Sequence, residues 1–287
     1  LEFSFPNICD STPLLVANVL PAGIANYMTP LSGHWISLRH RDNVINTKRS
    51  VRTWFKETEE EIFYLLTNSN FYEQIVPFYK ESSILGTSTL LTEDDHRDTI
   101  RFYVIPIGRC WIIENSRREV DRYYISFEFT AAQAIERFGR DACSDTIKED
   151  YDSNNATYAK KHPFILFIGP RYNRNPNKTD AASMPYAALW IDVRANKIVL
   201  ESGYNQLPAF THRFYLTTNS PYGISPAMCA LSDAMSVQVI GKTELLSAQQ
   251  KSLPAIALPS GSFLKPLSLN PLSVNIYDPT KLTSAKG

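Results

Sequence analysis

The longest helical pattern in the chain runs from Ser225 to Pro254. Ser225 is a suitable N-cap, and Pro226 follows at the first helical position, where a missing N–H does no harm. Since no helix breaker follows until Pro254, the pattern predicts one unbroken helix about 40 Å long at 1.5 Å per residue. The apolar line along this helix is narrow and consists of Met228, Leu231, Met235, Val239 and Leu245 or Leu246.

Small residues surround that apolar line. A helix with so narrow a line cannot bury a wide face within its own domain. We therefore expect it to pack closely against repeated helix neighbours, as in a multi-subunit channel or bundle. The candidate subunit-interface residues are Ala227, Ala230, Ala234, Gly241 and Ala248.

The first third of the chain is predicted to be mainly helical. A helix is expected over residues 10–28, with Asp10 or Ser11 as N-cap and a kink at Pro21 and Gly23. A loop and a short strand at residues 35–38 come next. Helical spacing returns at residue 50, breaks at residues 69–70 and continues to residue 83, before Gly86.

The middle of the chain reads as antiparallel strands, and the whole therefore as an α+β protein. Polar loops are expected at 140–162 and 171–185. The later short runs look like pieces of a sheet that another chain completes. Strands are predicted at 87–93, 100–105, 110–113, 120–129, 164–170, 186–193, 198–204 and 210–216, and a short helix at 131–138.

Composition narrows the function classes. The 287 residues carry 29 basic and 29 acidic side chains, so the net charge of +0 argues against a general nucleic-acid coat, although not against local basic rings. No apolar stretch reaches the ~18 residues that a membrane span needs, so no membrane partner is expected. The four cysteines are far apart and are interpreted as reduced thiols rather than as zinc ligands or disulfides.

Two segments resemble chemical sites. Residues 236–243 match a phosphate-binding P-loop except that Ser236 replaces the first glycine, and they lie within the predicted helix. The acidic segment from Glu93 to Asp98, which includes His96, has residue types that could bind a metal ion, but their spacing favours a hairpin turn. No catalytic residue set, metal site or cofactor is therefore predicted. A nucleotide-binding motor component remains an alternative, as does a monomeric soluble binding module.

Several motifs together resemble one family, the portal or head-to-tail connector proteins of short-tailed bacteriophages. Each motif is weak alone, but their order and spacing extend over nearly the whole chain. The motifs are Asp10-Ser-Thr12, Leu31-Ser-Gly-His-Trp35, Ser69-Asn-Phe-Tyr72, Ile84-Leu-Gly-Thr-Ser-Thr-Leu-Leu91, Val104-Ile-Pro-Ile-Gly108, Thr130-Ala-Ala-Gln-Ala134, Arg137-Phe-Gly139, Glu201-Ser-Gly-Tyr204 and Tyr222-Gly-Ile-Ser-Pro-Ala227.

The resemblance implies a portal-like architecture with an α/β wing, a long stem helix and a short-stranded clip. Residues 1–216 would form the wing, 217–253 the stem helix and 254–287 the start of the clip. The returning stem helix, tunnel loop and crown would lie beyond Gly287, so the chain is interpreted as a fragment of something longer.

The resemblance also implies a function without catalysis. Portals form homo-oligomeric rings, usually dodecamers, at one capsid vertex of the virion, and they are assembled in the host cytoplasm. Double-stranded DNA passes through the channel, and the expected partners are a packaging motor (terminase), a tail adaptor, and capsid and scaffold proteins. Lys242 and Lys251 on the stem helix are the candidates for DNA contact.

Overall fold

The computed structural model divides the chain into two compact units. One unit comprises Val16–Cys229, and the other combines the segment up to Leu15 with the chain from Ala230 onward. The residues that the structure describes are 10–95, 99–153, 159–178, 180–252, 256–259, 268, 270 and 272–277.

Helices dominate the first part of the described chain. The helices predicted before Gly86 and at residues 131–138 are confirmed, and a short helix not predicted from the sequence, α2, precedes α3. Gly86 ends α4 in the left-handed conformation, with φ +81°, as expected for a glycine at a helix C-terminus. The helices are α1 (Thr12–Met28), α2 (Asn43–Thr47), α3 (Arg49–Asn68), α4 (Phe71–Leu85), α5 (Ala131–Phe138), α6 (Asp145–Asp152), α7 (Pro226–Cys229) and α8 (Leu231–Ser252).

The strands form mainly antiparallel sheets, which confirms the α+β class. Three strands pair in the order β2-β1-β8 and five in the sequential order β3-β4-β5-β6-β7, while β9 and β10 pair in parallel. The strands are β1 (Thr87–Asp95), β2 (Thr99–Ile105), β3 (Cys110–Glu114), β4 (Val120–Thr130), β5 (Lys161–Pro170), β6 (Tyr186–Asp192), β7 (Lys197–Tyr204), β8 (Ala209–Arg213), β9 (Ile256–Pro259) and β10 (Val274–Tyr277).

The main core lies on one face of the five-stranded sheet. Alternate residues of β4 and β5 point inward, and α5 and α6 cover them with Ala134, Phe138 and Ile147. Thr130 starts α5 with a capping box, in which the Thr130 hydroxyl accepts from the Gln133 N–H and the Gln133 side chain accepts from the Thr130 N–H. The sheet positions the helices, so this unit has a core of its own.

Two predictions in this unit are wrong. Residues 34–40 form no strand, because Trp35 packs between Phe63 and Phe71 while the Leu38 N–H donates to the Glu59 carboxylate instead of to a neighbouring strand. The segment 140–162, predicted as a polar loop, contains helix α6, whose Ile147 is buried against the main core. Tertiary packing decided both cases where local pattern did not.

The long helix is also not continuous. Ala230 is a turn residue between α7 and α8, so the prediction of one unbroken helix from Ser225 is wrong. Local propensity does not explain the interruption, because alanine is the best helix former. The interruption coincides with the boundary between the two compact units, and α7 is bound to its own unit by the contacts described next.

Candidate functional site

The chain leading into α8 is fixed by a buried serine. Ser225 is fully buried, and its hydroxyl accepts from the Met228 N–H at 2.9 Å while it donates to the Ile84 carbonyl at 2.7 Å. One side chain therefore caps α7 and ties it to the C-terminal end of α4. The sequence predicted the cap but gave no signal for the second bond, whose partner lies 141 residues away in the chain.

Two glycines meet directly beside that serine. A Cβ on Gly86 would lie 2.3 Å from the Gly223 carbonyl oxygen, and a Cβ on Gly223 would lie 2.6 Å from the Gly86 carbonyl oxygen. The Gly86 carbonyl also accepts from the Phe214 N–H at 2.9 Å. Only residues without a side chain permit this approach, so the base of α7 is sterically specified.

Helix α8 buries none of its residues. Leu231, Met235, Val239 and Leu246 lie within about 80° of one another around the helix, at 100° per residue, and each is 45–65% exposed. These four residues form the exposed line of α8. Most of the predicted apolar line is thus present, and no described part of the chain covers it.

The small residues form a second line on the same helix. Ala234, Gly241 and Ala248 fall within about 40° of one another by the same spacing, while Ala230 is the turn residue before α8 and Ala227 belongs to α7 and to the other unit. The structure thus brings three of the five predicted interface residues onto one face of α8. Ala234 and Gly241 are half-buried, whereas Ala230 and Ala248 are exposed.

The N-terminal segment of the same chain covers the middle of that second line. Asp10 donates its N–H to the Gln238 side-chain oxygen at 3.1 Å, and its carbonyl accepts from the Gln238 amide nitrogen at 2.5 Å. The Asp10 Cβ lies 3.9 Å from where a Gly241 Cβ would stand, at the edge of a groove of about 480 Å³. Part of the small-residue line is therefore used within the chain, which sequence reasoning missed.

Asp10 also supports the start of α1. Its carboxylate accepts from the Thr12 N–H at 2.9 Å and from the Thr12 hydroxyl at 2.7 Å, and these bonds lower the Asp10 pKa. The Ser11 carbonyl accepts the first helical bonds, from the Leu14 and Leu15 N–H groups, so of the two predicted candidates Ser11 occupies the N-cap position and Asp10 precedes it. Asp10 thus supports the start of α1 with its side chain and docks on α8 with its backbone.

The two candidate lysines do not lie together. Lys242 and Lys251 are both exposed, but they are nine residues apart and so point to opposite sides of α8, about 180° apart. Lys242 lies within the exposed line, between Val239 and Leu246. Lys251 shares its side with the acidic residues of the helix. The two lysines therefore cannot face one common surface.

The segment that resembles a P-loop is the middle of α8. The Ser236 hydroxyl donates to the Ser232 carbonyl at 3.0 Å, and the Thr243 hydroxyl donates to the Val239 carbonyl at 2.8 Å. Backbone N–H groups in a helix interior are bonded to the carbonyl four residues back, so they cannot cradle phosphate. The position of this segment gives no support to the nucleotide-site alternative.

The remaining chemical candidates also have structural partners. Glu93 is held by both of its oxygens by Arg137, at 2.7 and 2.9 Å, and His96 and Asp98 lie outside the described residues. Burial raises the pKa of Cys110 to about 11, so this thiol stays protonated. Among the residues described, no His, Cys, Asp and Glu side chains group as metal ligands would, and no helix is long and apolar enough to cross a membrane.

Comparison with known proteins gives consistent matches. The family model for the bacteriophage head to tail connecting protein matches residues 2–286. The chain is 26% identical over 274 residues to the probable portal protein of Bordetella phage BPP-1, covering 95% of this chain and 49% of that protein. It is 25% identical over 274 residues to the portal protein of Salmonella phage epsilon15, covering 94% and 49%. The chain spans about half the length of the curated relatives it matches.

Proposed function

The chain belongs to the bacteriophage head to tail connecting protein family, and from that premise we propose that it is part of a portal subunit. In this role, identical subunits form a ring at a capsid vertex, through which double-stranded DNA enters during packaging and leaves during ejection. Twelve copies are the expected number. The packaging motor, the tail adaptor, and the capsid and scaffold proteins are the proposed partners, within the virion after assembly in the host cytoplasm.

The proposed division of labour follows the architecture. Residues 1–216 would act as the wing, 217–253 as the stem and 254–287 as the start of the clip. The boundary between compact units, at Cys229 and Ala230, supports a stem that is distinct from the wing. The energy for DNA movement would come from the separate motor, because the phosphate-like segment of α8 offers no free amides.

One observation supports this function most directly. The exposed line on α8 presents four large apolar side chains that are 45–65% exposed, on a helix in which no residue is buried. Burying apolar area contributes about 25 cal/mol per Å², so such a line favours association. A second copy of the chain is the proposed occupant, since identical neighbours in a ring would offer the same helix.

The experiment is ring assembly with matched variants of α8. Met235→Glu should shift the purified protein from closed rings to monomers without changing its thermal unfolding, because Met235 is 62% exposed and contributes little to the folded chain. Ser247→Glu adds the same charge about 120° around the helix and should assemble as the wild type does. Light scattering and negative-stain microscopy report both results.

Each outcome has a separate meaning. A wild-type protein that forms no closed ring would contradict the portal function itself. Rings of normal size and yield from Met235→Glu would contradict only the assignment of the exposed line to the subunit interface.

A further inference from the structure

A cluster of basic side chains lies far from α8 in the sequence, around α2 and the start of α3. Residues 38–56 contain six basic side chains and one acidic side chain, although the whole chain is neutral. The basic side chains are all exposed. They are Arg39, Arg41, Lys48, Arg49, Arg52 and Lys56, and together they are called the basic corner below.

The basic corner surrounds an open groove of about 330 Å³. Arg39, Arg52 and Lys56 line this groove, together with Asn43, the apolar ring of Phe55 and the Glu59 carboxylate, which accepts from the Leu38 N–H. Three cations against one hydrogen-bonded carboxylate leave the groove positive, and a concave surface concentrates that potential more than a flat face does.

The cations of the basic corner are not neutralised within the chain. Lys56 has only an exposed pair with Glu60 at 3.6 Å, and no carboxylate among the described residues lies at ion-pair distance from the other five. The one acidic side chain of the segment, Asp42, faces α2, where it accepts from the Val44 N–H at 2.9 Å. Glu57, Glu59, Glu60 and Glu61 follow directly on α3, but among the described residues only Glu60 pairs with a cation of the basic corner, so the other five cations remain available to a polyanion.

The groove is held in shape by a set of polar bonds. The Asn46 side chain binds the His40 backbone twice, with its amide donating to the carbonyl and its oxygen accepting from the N–H, both at 2.8 Å. The Asp42 N–H donates to His40 Nδ1 at 3.0 Å, and the Glu59 carboxylate accepts from the Leu38 N–H. Arg39 and Arg41 thus project from a loop that is tied to both helices, so binding requires little ordering of the backbone.

The start of α3 adds to the positive potential. Lys48 occupies the N-cap position and provides no side-chain hydrogen bond to the first turn. The N–H groups of that turn carry the positive end of the helix dipole, which attracts anions. The charges on side chains and on the backbone therefore have the same sign at the same place.

We propose that the basic corner binds the phosphate backbone of double-stranded DNA without reading its sequence. Four of the six cations are arginines, whose planar guanidinium groups match phosphate oxygens in pairs. The groove presents three cations together, which suits a regular polyanion. The choice of duplex DNA over another polyanion rests on the proposed function, in which DNA passes the ring.

The test compares two triple variants of equal charge change. Arg39→Gln/Arg52→Gln/Lys56→Gln removes the groove cations. The control, Arg117→Gln/Arg174→Gln/Lys178→Gln, removes three exposed cations elsewhere. Binding of a fluorescent 30-base-pair duplex to the assembled protein is measured by anisotropy at several salt concentrations, and light scattering records the oligomeric state of each sample.

The groove variant should bind about tenfold more weakly or worse, and the slope of log affinity against log salt should fall by about 2–3, since each phosphate contact contributes about 0.9. The control variant should keep at least most of the wild-type affinity and slope. Equal losses from both variants, or none from the groove variant, would overturn the proposal.

A second comparison separates DNA from an acidic protein as the occupant. If a poly-glutamate peptide of equal charge competes as well as the duplex does, and loses the same affinity in the groove variant, the assignment to DNA is overturned. Because light scattering is recorded on every sample, failure of ring assembly is distinguished from failure of DNA binding by intact rings.

Discussion

Replacing Gly86 by alanine tests the sterically specified base of α7. Gly86 has φ +81°, and a Cβ there would lie 2.3 Å from the Gly223 carbonyl oxygen and 2.8 Å from the Ile224 carbonyl carbon. The left-handed conformation costs a residue with a Cβ about 1–2 kcal/mol, and overpacking against backbone atoms costs about 1–3 kcal/mol more. Since the unfolded state of the alanine variant has less entropy, about 0.4–1 kcal/mol is regained.

The expected net loss in the free energy of unfolding is therefore about 2–4 kcal/mol. Gly108→Ala is the matched control, because Gly108 has no positive φ and no atom within 4 Å of an added Cβ. This control should keep or slightly increase stability. Urea denaturation, followed by circular dichroism and by tryptophan fluorescence at one protein concentration, measures both variants.

Comparison with the Gly108→Ala control also shows when the predicted strain at Gly86 is absent. If Gly86→Ala unfolds within about 0.5 kcal/mol of Gly108→Ala, then the Gly86–Gly223 approach is not a rigid feature of the folded protein. A changed dependence on urea without a changed midpoint would refute it equally, because the substitution would then be acting on compactness rather than on this contact.

Two further predictions concern pH and the lysines of α8. Burial lowers the pKa of His162, against the opposing effect of Asp150, and also lowers the pKa of His212. Below about pH 6.5 the unfolded state therefore binds more protons than the folded state does, so the free energy of unfolding should fall from pH 7 to pH 5.5. In urea denaturation, the His162→Gln variant should show a weaker dependence of that free energy on pH. Lys251→Gln should leave rings intact and, in packaging assays, retain less DNA than Lys242→Gln does, because Lys242 lies within the exposed line proposed as the subunit interface and Lys251 points to the opposite side of α8; equal DNA retention by the two variants would contradict that placement.

Local signals predicted much of the fold correctly. The Thr130 capping box and the left-handed Gly86 are each fixed by a few neighbouring residues, so the sequence contains the information. The β6–β7 hairpin around Asn196, with φ 49°, belongs to the same class. The sequence signal for each of these elements is local.

The predictions that were wrong depended on distant partners. Residues 35–38 were predicted as a short strand, but Trp35 fits between aromatic rings of α3 and α4, and no strand of the described chain pairs with this segment. The bond from Ser225 to Ile84 and the docking of Asp10 on Gln238 join residues more than 140 and 220 positions apart. A single sequence carries no record of such pairings.

The sequence predicted which residues of α8 share a face, but not which distant segments cover that face. The grouping of Ala234, Gly241 and Ala248 on one face follows from their spacing of seven residues, and so does the separation of Lys242 from Lys251. What covers each face does not follow from spacing, and the Asp10 segment takes part of the small-residue face. The basic corner also went unnoticed, because the neutral total charge concealed a strongly uneven distribution along the chain.

The distribution of apolar residues explains why the chain is expected to function as an assembly. The unit comprising Val16–Cys229 has a core on one face of the five-stranded sheet, in which Ile125, Phe164 and Leu166 are fully buried. In α8, by contrast, side chains such as Met235 and Leu231 remain more than half exposed, and interior packing within the chain does not use them. In the proposed ring, another molecule would complete the packing of this uncovered apolar line, and repetition of one subunit around the ring would complete every copy in the same way.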